Sequence, residues 1–92
     1  MGAKLANSKQ AVKRAHQATK RRIRNRWQKS RMNTSIRRVL EAVSAKDQPL
    51  ANKAHQLMSA LVDKLVSKGV IHKNKAARHK SRLSQKIKAI AS

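Results

Sequence analysis

An all-α fold, a three-helix up-down-up bundle with an extended, projecting first helix, follows from three observations. The chain of 92 residues has one proline and two glycines, so long unbroken helices are permitted. Its apolar residues recur at spacings of three and four, and the alternation of a half-buried strand is absent. Pro49 and Gly69 punctuate the chain into three segments of unequal length. A chain of this size makes one small domain.

The first helix is predicted from about Asn7 or Ser8, either of which can cap, to about Ala45. Its C-terminal half has an apolar face of Met32, Ile36, Val39, Leu40 and Val43. Its N-terminal half has a thinner one: Val12, Thr19, Ile23, Trp27, Ser30 and Thr34. At about 100° per residue the two faces lie nearly opposite. One straight helix cannot bury both against the same neighbours, and the C-terminal half is the better core segment.

The second helix is predicted to start near Asp47 to Pro49, with Asp47 or Gln48 as cap and Pro49 in the first turn. Leu50, Ala54, Leu57, Met58, Leu61 and Leu65 form its stripe, and Gly69 ends it. If Gly69 is C′, then Val70 is C″ and Leu65 is C3, the pair that meets in a Schellman ending. The third helix is predicted from about His72 to about Ile90, with Ala76, Leu83, Ile87 and Ile90 inward.

Two short connections give antiparallel neighbours. At about 1.5 Å per residue the first helix would reach about 57 Å and the others about 27 to 30 Å. Residues 1–31 should therefore project, and residues 32–92 should form the bundle, within a single domain. The same lengths put the Gly69 corner near the level of Trp27, which is expected to pack close to Val70 or Ile71.

Charge follows this division. Lys and Arg number 24 against 3 Asp and Glu, a formal net charge of +21. Residues 1–38 carry 13 Lys or Arg and no acid, and residues 67–92 carry 8 and no acid. Between them, Lys46, Lys53 and Lys64 balance Glu41, Asp47 and Asp63. A cationic arm and a cationic third helix thus flank a neutral middle, and self-repulsion opposes compaction without a polyanion.

Several function classes are disfavoured. With no cysteine there is no disulfide, thiolate site or redox chemistry. His72 and His79 are seven apart, about 10.5 Å along a helix, too far to share one ion unaided. Three scattered acids and one aromatic residue offer no convergent acid–base pair, so neither an enzyme nor a cofactor is expected. No apolar run approaches the about 20 residues of a membrane span, and "MGAKLANSKQ" lacks the apolar core of a secretion signal. A cytoplasmic protein is expected. A lipid-surface helix would want a broader apolar face than one thinned by Thr19, Ser30 and Thr34.

A polyanion partner remains. Lys9 with Lys13, Lys20 with Arg24, and Arg22 with Arg26 are like-charge i, i+4 pairs, each costing a few tenths of a kcal/mol in an isolated helix. The arm should fray when free and order on phosphate. Cations on nearly every side suit folded RNA better than one flat groove, with Asn7, Ser8, Asn25, Ser30, Asn74 and Ser81 as further donors. DNA compaction is the nearest rival. The histidines at 72 and 79 fall between the apolar stripe and the flank of Lys75, Arg78, Arg82 and Lys86, where either core-edge packing or RNA contact suits them.

"GVIHKNKAARHKSRL", residues 69–83, resembles the C-terminal signature of the S-twenty family of bacterial small-subunit ribosomal proteins. "ANSK" at 6–9, "KR" at 13–14, "KRRIRN" at 20–25 and "TSIRRV" at 34–39 are similar to that family's pattern as well. The likeness runs from about Ala6 to about Ile87. It implies a three-helix bundle with an extended first helix. It implies direct, structural binding of small-subunit ribosomal RNA early in assembly, as a monomer within the ribosome and with no small-molecule substrate. The RNA-facing residues it implies are Lys9, Lys13, Arg14, Lys20, Arg21, Arg22, Arg24 and Asn25 on the first helix. On the third they are His72, Lys73, Asn74, Lys75, Arg78, His79, Lys80 and Arg82.

Overall fold

The computed structural model describes the backbone of residues 2–91 and the side chains of residues 9–91. Three helices follow in order: α1 (Gly2–Ser44), α2 (Gln48–Ser67) and α3 (Lys73–Ala91). The molecule measures 72 × 20 × 14 Å, with a radius of gyration of 19.4 Å. A compact chain of this length would have a radius near about 12 Å. The excess is the arm of α1. The fold class is the expected one.

α1 begins at Gly2, earlier than the predicted Asn7 or Ser8, which lie inside the helix. Nothing between Ala3 and Ser44 breaks it, because neither proline nor glycine occurs there. Its first buried side chain among those described is Met32, followed by Val39 and Ala42, with Ile36 and Val43 half-buried. Leu40, expected inward, is largely exposed. It sits one residue past Val39, rotated by about 100° off the seam.

The α1–α2 connection needs no glycine. Lys46 takes φ 56°, and its N–H donates to the Val43 carbonyl at 3.0 Å. The Asp47 N–H donates to the Ala42 carbonyl at 3.1 Å, completing a Schellman ending. Asp47 then caps α2: its Oδ1 accepts from the Leu50 N–H at 3.1 Å, with Pro49 in the first turn. One residue thus closes α1 and opens α2, which turns the chain back within three residues.

α2 lies between the other two helices. Ala51, Met58, Val62 and Leu65 are buried, and Ala54, Leu61 and Val66 are half-buried. Leu50 and Leu57, placed in the predicted stripe, are instead exposed. Ala51, Met58, Val62 and Leu65 fall within about 60° of one another around the helix, and Leu50 and Leu57 lie about 100° to one side of them. The second corner is as predicted. Gly69 has φ +74°, its N–H donates to Val66 at 3.0 Å, and the Val70 N–H donates to Leu65 at 2.9 Å.

α3 returns along α2, burying Ala76, Leu83 and Ile87 with Ile90 half-buried. His55 Nε2 lies 3.0 Å from the Lys80 carbonyl, and with the ring N–H placed on that nitrogen it donates a hydrogen bond from α2 to α3. No polar or charged side chain among the described residues is fully buried. The core is a thin apolar seam whose length matches the bundle and not the arm.

Candidate nucleic-acid interface

The arm places its cations without competition. Lys9, Lys13, Arg14, Lys20, Arg21, Arg22 and Arg24 are all exposed. Each has no carboxylate partner among the described residues, since the bundle's acids lie elsewhere. From Lys9 to Met32 is 23 residues, about 35 Å of helix. Asn7 and Ser8 lie outside the residues whose side chains are described. Thr19, on the arm's thin apolar face, donates to its own helix at the Ala15 carbonyl, 2.9 Å away.

Continuing the Met32 face backwards by steps of three and four reaches Gln28, Asn25, Arg24 and Arg21. These line a cleft of about 420 Å³ against Lys68, Gly69 and Val70 at the α2–α3 corner. Asn25 and Gln28 are accordingly half-buried. Arg21, Arg24 and Lys68 thus converge from two elements distant in sequence. Trp27 does not share this site. The corner stands at its level, as predicted, but Trp27 points away, is 68% exposed and lines a hollow with Leu57 and Leu61. Its azimuth on α1 is about 100° from that of Gln28, which is the residue that meets the corner.

A second cleft of about 500 Å³ runs along α1 itself, lined by Arg22, Asn25, Arg26, Lys29, Ser30 and Asn33. Lys68, Arg26, Lys29 and Gln28 extend the candidate set beyond the residues chosen from sequence. Periodicity from Met32 could have found Gln28. Lys68 had no signal beyond its place beside Gly69.

α3 presents Lys73, Asn74, Lys75, Arg78 and Arg82 exposed, with His79 and Lys80 half-buried. Lys80 and, just before the helix, His72 are engaged within the protein. Lys80 Nζ donates to Asp63 Oδ1 at 2.6 Å. His72 Nδ1 accepts from the Asn74 N–H at 3.1 Å, capping α3. The His79 Nε2 is buried and has no hydrogen-bond partner among the described residues. Burial lowers its pKa from the ordinary 6.5, and the charges of Lys75, Arg78 and Arg82 lower it further. Both effects act against the charged form of the ring.

Among the described residues, no group of three or more His, Cys, Asp or Glu could hold a metal ion, and no helix is long and apolar enough to cross a membrane. Fold and charge define a class: an all-helical, strongly cationic scaffold with a projecting arm and open clefts. Within that class the particular family is evident. The family model described as Ribosomal protein S20 matches residues 6–88, and the chain belongs to that family. It is 50% identical over 86 residues to the small ribosomal subunit protein bS20 of Ectopseudomonas mendocina (strain ymp), covering 94% of each chain. It is 48% identical over 87 residues to the protein of that name from Shewanella sp. (strain ANA-3), covering 95% of this chain and 99% of the relative. The bS20 of Pseudoalteromonas atlantica is likewise 48% identical over 87 residues, with 95% of this chain and all of the relative covered.

Proposed function

We propose that this protein is a structural, non-catalytic component of the small ribosomal subunit, located on the cytoplasmic ribosome. It binds small-subunit ribosomal RNA directly and stabilises its fold during assembly. The arm is the main support: an exposed cationic helix longer than its bundle, in a chain whose family is ribosomal. Lys9, Lys13, Arg14, Lys20, Arg21, Arg22 and Arg24 neutralise phosphates between RNA elements that would otherwise repel one another. Asn25 donates to phosphate or ribose beside them.

The corner cleft supplies a second point of attachment. Arg21, Arg24 and Lys68 offer three cations to one stretch of backbone. Lys73, Lys75, Arg78 and Arg82, with Asn74, form a third surface on α3. His72, His79 and Lys80 support that surface by capping, edge packing and pairing. The protein acts as a monomer, since a net charge of +21 opposes association with a second copy.

The test is binding to a fragment of small-subunit ribosomal RNA at moderate salt, with excess duplex DNA as competitor. Retention on the RNA is expected. Equal affinity for both would instead indicate a general DNA-compacting protein.

A further inference from the structure

One face of the bundle is open. α3 packs mainly on α2 and more lightly on α1, which leaves the other side of the α1–α2 seam uncovered. Two adjoining hollows of about 400 and about 530 Å³ run along it and share Ser35, Arg38 and Leu57. Together they extend from Trp27 to Ala45, 18 residues or about 27 Å along α1. Three of the large apolar side chains that the fold leaves exposed border this groove: Trp27 at 68%, Leu57 at 64% and Leu50 at 52%. Arg31, Arg38 and Lys53 stand on its rim, with no carboxylate partner among the described residues. Glu41, the one acid there, lies 3.8 Å from Arg37.

We propose that this groove is a docking site for an amphipathic helix from an acidic segment of a partner protein. The partner's apolar stripe would lie on Leu50, Leu57 and Trp27, and its carboxylates would meet Arg31, Arg38 and Lys53. The dimensions fit: a groove of about 27 Å holds a helix of about 18 residues, anchored at i, i+3 or i+4 and i+7. The chemistry decides against nucleic acid. The α2 side of the groove is leucine and alanine apart from Lys53, and α2 belongs to the segment where cations and acids balance. Phosphates have far denser cations available on the arm. A second copy of this chain is repelled by its own charge. A bilayer presents a flat surface, whereas this site is concave between two helices.

The probe is an 18-residue peptide with leucines at i, i+4, i+7 and i+11 and glutamates on both flanks of that stripe. Its control is a peptide of identical composition, shuffled to destroy the stripe. Binding of each labelled peptide to the full chain is followed by anisotropy, and Trp27 emission is followed in parallel. The striped peptide should bind and blue-shift Trp27. Leu57→Gln, and separately Trp27→Ala, should each weaken it by about tenfold. Both variants replace exposed residues and should keep wild-type helicity. Equal binding of the shuffled peptide would reduce the effect to bulk charge and overturn the proposal. So would a Leu57→Gln variant of native helicity that binds the striped peptide as wild type does. If Leu57→Gln weakens the ribosomal RNA fragment as much as the peptide, the groove is an RNA surface. If anionic phosphatidylglycerol vesicles blue-shift Trp27 as strongly as the peptide, it is a lipid surface. Either result would also overturn the proposal.

Discussion

His72 Nδ1 accepts the backbone N–H of Asn74 at 3.1 Å, so a side chain of the basic signature closes the first turn of α3. Asn74 is the second helical residue, and its N–H is one of four that the helix cannot satisfy internally. The contact needs Nδ1 unprotonated, with the ring proton on Nε2. His72→Asn should keep the cap and the stability. His72→Ala should lose about 1 kcal/mol. Chemical denaturation of the three proteins measures this. A loss of RNA affinity in His72→Asn at unchanged stability would instead assign the ring to the nucleic acid.

The two helix endings are alike in hydrogen bonding and differ in residue. Gly69 takes φ +74°, and a Cβ built there meets nothing within 4 Å. The cost of Gly69→Ala is then purely that of the left-handed backbone, about 1 kcal/mol. Lys46 already bears that cost at φ 56°. Lys46→Gly should therefore stabilise, by up to about 1 kcal/mol, less the extra freedom glycine gives the unfolded chain. Opposite signs for the two variants in thermal melts are the expected outcome.

The contrast between these corners shows what was legible in the sequence. At Gly69 the residue type and the required φ agree, and Leu65 and Val70 sit at the spacings the ending demands. At Lys46 nothing marks a left-handed residue, and the turn rests on Asp47 serving both helices. The buried stripe of α2 departs from the most apolar residues. Leu50 and Leu57 are more apolar than Ala51, but Ala51 shares the face of Met58, Val62 and Leu65 that is turned to the seam, and the two leucines lie to one side of it. Trp27 was placed at the right height, because helix length sets height. Its side differs from the expected one, because the seam follows Met32 and Gln28. The cations of the arm and of α3 were legible because an exposed surface needs no partner to define it. The cleft at Lys68 was not, since it exists only once the α2–α3 corner meets the middle of α1.

Neighbouring cations of α3 should differ in their contribution to polyanion binding. Arg78 and Arg82 are exposed and have no carboxylate partner among the described residues, whereas Lys80 is half-buried against Asp63. Arg78→Ala with Arg82→Ala should flatten the dependence of log K on log salt by about 1.5 while leaving helicity nearly unchanged. Lys80→Ala should change that slope less than either arginine does. Its stability loss should stay within about 1 kcal/mol, since the pair is partly solvated. Salt titrations of RNA affinity separate these cases. A collapse of helicity on removing the arginines would make them structural.

His79 should make the fold sensitive to acid. Burial, then Lys75, Arg78 and Arg82, hold its pKa below the 6.5 of the unfolded chain. Between the two values the unfolded state binds more protons, so stability rises with pH across that window. The contribution is complete above about 6.5 and is lost as pH falls through the lower, folded value. His79→Gln should remove this component of the pH profile. A polyanion beside Lys75, Arg78 and Arg82 cancels their repulsion, so the pKa should rise on RNA binding while burial keeps acting against it. Histidine C–H chemical shifts followed through pH, with and without RNA, read both effects.

The arm tests how far a helix can stand on local interactions alone. From Lys9 to Arg31 only Asn25 and Gln28 are even half-buried, so tertiary packing supplies almost nothing there. Its backbone hydrogen bonds compete with like-charge pairs such as Lys9 with Lys13 and Lys20 with Arg24. Screening shortens the reach of that repulsion to about 8 Å at physiological salt. Far-ultraviolet ellipticity of the free protein should therefore become more negative as salt is raised from a few millimolar. Removing residues 1–31 should abolish the response and leave the helicity of the bundle, because the buried seam starts at Met32. Ribosomal RNA should produce the same gain in helicity at low salt, by neutralisation in place of screening. A salt-independent spectrum of the full chain would mean that helix propensity alone outweighs the repulsion along the arm.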